Sequence, residues 1–227
     1  MDHDELKRLL QQDALTVAPQ LLGATLSSEY RLPDGSTRSV VVRLTEVEAY
    51  LGPRDSGAPD PGSHSYRGKT LRNQVMFGPP GHLYVYFTYG MHFCGNVVCS
   101  PEGTSSAVLL RAGEVVEGVD VAGERRAERR RGGSGKQVEL ASGPARLATV
   151  LGLNREANGS DLLDGGAVRL ELAESLPSQA ILSGPRVGVS GPGGGSEYPW
   201  RFWIAGDPTV SRYRAAAPRR KKLGAPQ

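Results

Sequence analysis

A single mixed domain of helices and strands is what this sequence predicts, and three observations predict it. The chain has 227 residues, which suits one globular domain with short terminal extensions. Its 30 glycines and 16 prolines, at a hydrophobic fraction of 38%, call for a loop-rich chain with much β structure. Short apolar runs of strand length, bounded by turn residues, share the chain with helical stretches near its start, middle and residues 142–150.

In chain order, residues 5–22 read as helical, with a break expected near Pro19. Ala24–Arg31 and Ser39–Glu48 flank Leu32-Pro33-Asp34-Gly35-Ser36, and Pro-Asp-Gly marks a hairpin turn. Residues 51–81, with Pro53, Pro59, Asp60, Pro61 and Gly62, read as loop. A loop of that length inside a compact domain is usually functional or disordered. His82–Tyr89 is a strand ended by Gly90, and Phe93–Cys99 resumes it. Ser106–Arg111 is another strand, and residues 114–131 read as a helix before the flexible link Gly132-Gly133-Ser134-Gly135. Ser142 is placed to cap a helix running to Val150, with Pro144 in its first turn. Val168–Leu172, Arg186–Val189 and Trp200–Ile204 complete the strands, and Gly191–Gly195 is expected to be mobile. The resulting division is an N-terminal extension over 1–14, one domain over 15–212, and a basic tail over 213–227 expected to be disordered.

The most informative segment is Val40-Val41-Val42-Arg43-Leu44-Thr45-Glu46-Val47-Glu48-Ala49-Tyr50. In a regular strand alternate residues share a face. Val40, Val42 and Leu44 then lie on one face, and Glu46, Glu48 and Tyr50 continue it. A core-facing row should stay apolar, because a buried carboxylate is costly unless paired or hydrogen-bonded. Two readings follow: an ordinary strand end with a solvated or salt-bridged glutamate, or a strand leaving the core to enter a cleft.

Composition narrows the partners and the compartment. The formal charge is +3, from 27 basic and 24 acidic residues, which permits nucleic-acid binding without demanding it. The basic residues cluster at Arg125, Arg126, Arg129, Arg130 and Arg131, and again at Arg219, Arg220, Lys221 and Lys222. Either cluster can be a solvated face. No apolar run is long enough to span a bilayer, and Met1-Asp2-His3-Asp4-Glu5 lacks the pattern of a secretory signal, so no membrane partner and a cytoplasmic location are expected. Cys94 and Cys99, on one continuous strand, lie roughly 16 Å apart on opposite faces. Free buried thiols are therefore expected. The two cysteines and four histidines show no zinc-ligand spacing.

Residues able to do chemistry are His64 in the long loop, Tyr84, Tyr86 and Tyr89 on a strand, Asn96, Arg111 and Glu48. Singly, each has an ordinary structural explanation; jointly they match a family. The segments Glu46-Val47-Glu48-Ala49-Tyr50-Leu51-Gly52-Pro53, His64-Ser65-Tyr66-Arg67-Gly68 and Arg72-Asn73-Gln74-Val75-Met76-Phe77 are followed by Pro80–Tyr86, Tyr89-Gly90-Met91-His92, Cys94-Gly95-Asn96 and Leu109-Leu110-Arg111-Ala112. Ser142-Gly143-Pro144, Arg186-Val187-Gly188-Val189 and Arg201-Phe202-Trp203 close the series. In this ordered set, spanning about residues 15–211, the chain resembles the alkyladenine (3-methyladenine) DNA glycosylases.

The resemblance implies a mixed α/β domain with a curved, mostly antiparallel sheet flanked by helices, similar to the C-terminal domain of formyltransferases. It implies a monomer that acts on double-stranded DNA carrying damaged purines and needs no cofactor or metal. The implied substrates are 3-methyladenine, 7-methylguanine, hypoxanthine and ethenoadenine. A stacked base is out of reach, so its nucleotide must be flipped out. By resemblance Tyr89 fills the gap as a minor-groove wedge, with Met91 beside it. Tyr50 forms one wall of the base pocket, His64 and Tyr86 the other, and Asn96 crowds out normal guanine. Glu48 activates the attacking water and Arg111 keeps it ionised and helps place the water. Arg67, Arg72 and Arg146 are candidates for the DNA backbone. No catalytic lysine is implied, so no strand-nicking step is expected.

Two departures from the family pattern bear on the site. Ser56–Gly62 reads as an insertion that either bulges outward or shifts His64, and Gly95 stands where a bulkier residue is common, implying a roomier pocket floor. The arginine-rich 125–136 segment is a candidate for phosphate contact. A non-catalytic damaged-DNA or RNA-binding domain would keep the tyrosines without needing Glu48 beside Arg111. A hydrolase of free nucleosides would need neither a wedge nor a basic rim.

Overall fold

The computed structural model describes residues 3–31, 34–88, 90–128, 136–164, 166–173 and 176–216. Among them, helices α1 (His3–Leu10) and α2 (Ala14–Gln20) precede the hairpin β1 (Thr25–Arg31) and β2 (Thr37–Tyr50). After the long loop come β3 (Leu83–Thr88), β4 (His92–Val98) and β5 (Ala107–Glu117), then α3 (Val119–Glu128), β6 (Ala141–Ser142) and α4 (Pro144–Val150). The short strands β7 (Val168–Glu171), β8 (Ile181–Gly184) and β9 (Arg201–Ile204) complete the set. The sheet runs β3-β4-β5-β2-β1-β7, with β6 on β5 and the β8–β9 pair on β2; every pairing is antiparallel. The expected mixed architecture with an antiparallel sheet is what forms.

The longest strand, β2, decides where the site lies. Along its first half it pairs with β1, ending at Thr25 opposite Arg43. From Glu46 to Glu48 it pairs with β9 instead. On its other side the register with β5 slips twice between these regions. Leu44 faces Gly113 and Glu46 faces Ala112, leaving Thr45 extra; Val47 then faces Leu110, leaving Arg111 extra. Each slip is a β-bulge, and each turns the following residues to the opposite face. Val40, Val42 and Leu44 point into the core, and so do Val47, Ala49 and Leu51. Simple alternation therefore fails: Glu46, Glu48 and Tyr50 do not continue the face of Val40–Leu44. They lie on the reverse face while the strand stays in the core. Gly113 allows the close approach, since a Cβ there would lie 2.5 Å from the Arg43 carbonyl oxygen.

The core joins these β2 residues to Val108, Leu110 and Val115 of β5, to Leu147 and Val150 of α4, and to the N-terminal helices. Leu6 and Leu10 of α1 enter it, so the segment expected as an extension packs against the domain. The break in the first helical stretch falls at Gln11–Asp13. The Asp13 carboxylate accepts from the Leu15 and Thr16 amides and starts α2. Pro19 is tolerated inside α2, one residue from its end.

Other boundaries also move. Strand β5 continues past Arg111 to Glu117, where a helix was expected, and α3 starts only after Gly118 turns the chain. Ser142 pairs with Ala112 in β6; Gly143 holds the cap position of α4 and no side chain caps it. No strand forms over Arg186–Val189, and β8 forms just before it. The Gly191–Gly195 stretch contains a 3-10 turn, and its Gly193 is buried against Arg186. Cys94 and Cys99 are free and buried, as expected. Among the described residues no helix is long and apolar enough to cross a membrane. The flexible link at 132–135, Arg129–Arg131 and the basic residues 219–222 lie outside the described residues.

Candidate active site

The bulged face of β2 and β5 is the floor of an open cavity of 830 Å³. Glu48, Tyr50, His64, Tyr86, Asn96 and Arg111, six residues singled out in the sequence, all line it. They come from β2, the long loop, β3, β4 and β5, which only the sheet order brings together. An adjoining opening of 820 Å³ shares His64 but contains no carboxylate.

Glu48 is fully buried beneath this floor. Its Oε1 accepts from the Val187 amide at 2.7 Å and its Oε2 from the Tyr50 hydroxyl at 2.9 Å. The Arg111 Nε lies 3.5 Å from Oε1. Burial pushes the Glu48 carboxyl above its ordinary value; Arg111, the Val187 amide and the Tyr50 hydroxyl pull it back, and Glu46 adds to the rise. The expectation that Arg111 would settle the matter in favour of the ionised form captured one opposing effect, and burial outweighs it. Arg111 is itself held up by Glu48 and Glu46 against the lowering effect of burial, and stays charged.

Arg111 is aimed by Glu46, whose Oε1 accepts from Arg111 Nε at 2.8 Å and from Arg201 Nε at 2.6 Å. Its other oxygen accepts from the Ser211 amide at 2.7 Å. Glu46 is thus a fully buried anchor between two arginines.

The aromatic lining is continuous. Tyr84 and Tyr86 stack at 5.6 Å between centroids, and His64 meets Tyr86 edge-on at 4.5 Å. The His64 Nδ1 lies 3.2 Å from the Tyr84 hydroxyl, and its carbonyl accepts from the Asn73 amide. Burial, with help from Arg72, depresses the imidazole, so the neutral ring is favoured. Burial also raises the Tyr86 hydroxyl, which bonds to Cys94, and raises the Cys94 thiol to about 11. Asn96 donates to the Tyr84 carbonyl at 3.1 Å and is fixed in the cavity wall. The Gly95 expectation does not hold: a Cβ there would meet Leu153 at 2.8 Å, on the core side, so Gly95 adds no room to the pocket.

The insertion before His64 folds on itself. Gly52 accepts from Asp60 and donates to Ala58, and residues 54–58 stay exposed. Asp60 is fully buried, so the stretch both bulges outward and carries an internal anchor.

Tyr89 lies outside the described residues. Met91 is 61% exposed at the β3–β4 turn, and Phe87 near the end of β3 is exposed as well. The exposed Arg72 reaches the Phe87 carbonyl from the loop, and Arg67 borders the adjoining opening. Arg146 donates to the Glu139 carbonyl and carboxylate. Arg125 donates to the Val150 carbonyl at the end of α4, and Arg126 is 7% exposed. Among the described residues no group of three or more His, Cys, Asp or Glu side chains forms a metal site.

Sequence reasoning gave no role to Asp60, Arg186 or Arg201. The two arginines stand inside quoted motifs, each beside apolar residues, and that is the one local sign that they turn inward.

An antiparallel sheet thus carries a buried carboxylate beside an arginine on the floor of a tyrosine-lined cavity. Residues 8–208 match the family model for methylpurine-DNA glycosylase. The chain belongs to this family and is a DNA glycosylase. It is 52% identical to a Streptomyces avermitilis protein over 95% of this chain and 94% of that one. It is 50% identical to a Leifsonia xyli protein over 88% of each chain, and 51% to a Nocardia farcinica protein over 89% and 88%. All three relatives carry the name "Putative 3-methyladenine DNA glycosylase".

Proposed function

We propose that the protein excises alkylated and deaminated purines, namely 3-methyladenine, 7-methylguanine, hypoxanthine and ethenoadenine, from duplex DNA as a monomer acting at the nucleoid. The observation that carries this reading is the buried Glu48 carboxylate opening onto an aromatic-lined cavity with Arg111 at its side. Departure of the base leaves positive charge on the sugar, which an ionised carboxylate stabilises. A carboxylate offers about four lone-pair sites. Val187 and Tyr50 occupy two, and a free one accepts the proton of a water that attacks the anomeric carbon. The base leaves with the glycosidic electron pair. Cationic 3-methyladenine and 7-methylguanine leave directly, whereas neutral purines need a proton on the ring.

Tyr50, Tyr86 and His64 receive the flipped base by stacking, worth about 1–3 kcal/mol per base and tolerant of base identity. Asn96 excludes guanine through its exocyclic amino group. Tyr89 with Met91 wedges the duplex, and Arg67, Arg72 and Arg146 meet the phosphates.

The deciding experiment incubates the protein with labelled duplexes carrying hypoxanthine, ethenoadenine or 7-methylguanine, and with alkylated genomic DNA, followed by alkali. Breaks at the lesions are expected; no release from any substrate refutes the substrate assignment. Tyr89→Ala is expected to weaken binding to the lesion duplex, and an unchanged affinity removes it as the wedge.

A further inference from the structure

One buried ion pair lies outside the chemistry described so far, yet it bonds to both neighbours of Tyr50 and to the loop before His64. Arg186 is 1% exposed and Asp60 fully buried. Their contact is bidentate: Nη1 to Oδ2 at 2.6 Å and Nη2 to Oδ1 at 2.7 Å. Arg186 Nη1 also donates to the Ala49 carbonyl at 2.9 Å, and Nη2 to the Gly193 carbonyl at 2.7 Å. Its guanidinium carbon stands 4.5 Å from the Tyr50 ring centroid and 5.0 Å from that of Trp200. Asp60 accepts in addition from the Leu51 and Gly62 amides. The pair therefore binds both residues that flank Tyr50, the ring of Tyr50, and the loop two residues before His64. Val187, whose amide meets Glu48, is the next residue after Arg186.

We propose that the Asp60–Arg186 pair is the positioning device of the active site, setting the Val187 amide and the Tyr50 hydroxyl against Glu48 while anchoring the loop that bears His64. The proposal rests on the reading of Glu48 as the water-activating base. An arginine suits the position because its planar fork bonds the carboxylate in two places and still stacks on an aromatic ring; lysine is a point donor. A pair kept for stability alone gains little over apolar packing, because desolvation consumes most of the Coulombic attraction. Holding four backbone groups and one ring in register is something apolar side chains cannot do.

Glu48 is the reporter. The groups facing it are Arg111 from β5, Glu46 and Tyr50 from β2, Tyr86 from β3, Cys94 from β4, and Arg186 with the Val187 amide from the segment after β8. The amide and hydroxyl bonds favour its charged form, so loosening them drives its titration upward.

The test is the titration of the Glu48 carboxyl by carbon-13 NMR in the wild-type protein, Arg186→Lys and Asp60→Asn, with Glu48→Gln assigning the signal. In both variants the midpoint is expected to rise by about one pH unit, and the acidic limb of single-turnover excision to rise with it, a tenfold loss of rate on that limb. A folded variant with an unmoved midpoint overturns the proposal. So does loss of the native circular dichroism in both variants, which makes the pair an element of the fold. Because the titration needs no turnover, it stays decisive even if the wild-type protein releases no base, a result that would refute the substrate assignment instead.

Discussion

Glu46 and Glu48 stand on one face of one strand, both with no exposed surface, and their surroundings differ. Glu46 is the more fully bonded: two arginine Nε groups and a backbone amide surround it, all within 2.8 Å. Glu48 has a backbone amide and a tyrosine hydroxyl as close partners, and Arg111 stands back at 3.5 Å. Only Glu48 borders the cavity. Burial therefore does not distinguish a structural carboxylate from one fit to activate water. Unspent acceptor capacity and an open approach do.

The sharpest break in the comparison is Glu48→Gln. General-base loss lowers rates by about 10²–10⁴-fold, so single-turnover excision is expected to fall by about 10³-fold, with lesion-duplex affinity nearly unchanged. Full activity in this variant would remove Glu48 as the base.

Next in size is Glu46→Gln. It leaves Arg111 and Arg201 short of their anion, and removing one partner of a buried pair costs about 3–5 kcal/mol. A chemical-denaturation midpoint that does not move would show that Glu46 is no anchor.

The two substitutions are expected to differ in their effects on stability. The Glu48 carboxyl is raised above its ordinary value of 4.5, so the folded state holds its proton more tightly than the unfolded one. Its contribution is most favourable below the unfolded value and declines as pH rises through the folded value. At pH 7 the charged form is the costly one, and Glu48→Gln, a mimic of the neutral acid, should leave the melting temperature unchanged or slightly higher. A drop matching that of Glu46→Gln would erase the distinction.

Tyr50→Phe should have the smallest effect. It removes one bond to the carboxylate, so the acidic limb of excision moves up and the rate at neutral pH falls by about threefold, less than 1 kcal/mol. An unmoved limb would show that the hydroxyl does not tune Glu48.

Much of this site was legible because its residues are chemically conspicuous. Acids after an apolar run, tyrosines on a strand and an arginine after two leucines made Glu48, Tyr86 and Arg111 candidates, and the resemblance over the ordered motifs gave them roles. The spans of β1 to β4 followed from alternation and turn chemistry. Asp60 and Arg186 were not found, because a buried salt bridge between distant residues leaves no local pattern. The carbonyls that Arg146 and Arg125 cap were likewise invisible before the fold was known.

The sequence by itself determined the hairpin, the mixed architecture and the list of groups able to do the chemistry. The tertiary structure alone decided which way those groups face. Alternation along one strand predicts a single face, but the paired bulges at Thr45 and Arg111 depend on the register between β2 and β5, set by hydrogen bonds between segments far apart in the chain. One extra residue on each strand moves Glu46, Glu48 and Tyr50 to the reverse face while Val47 and Ala49 take over the core.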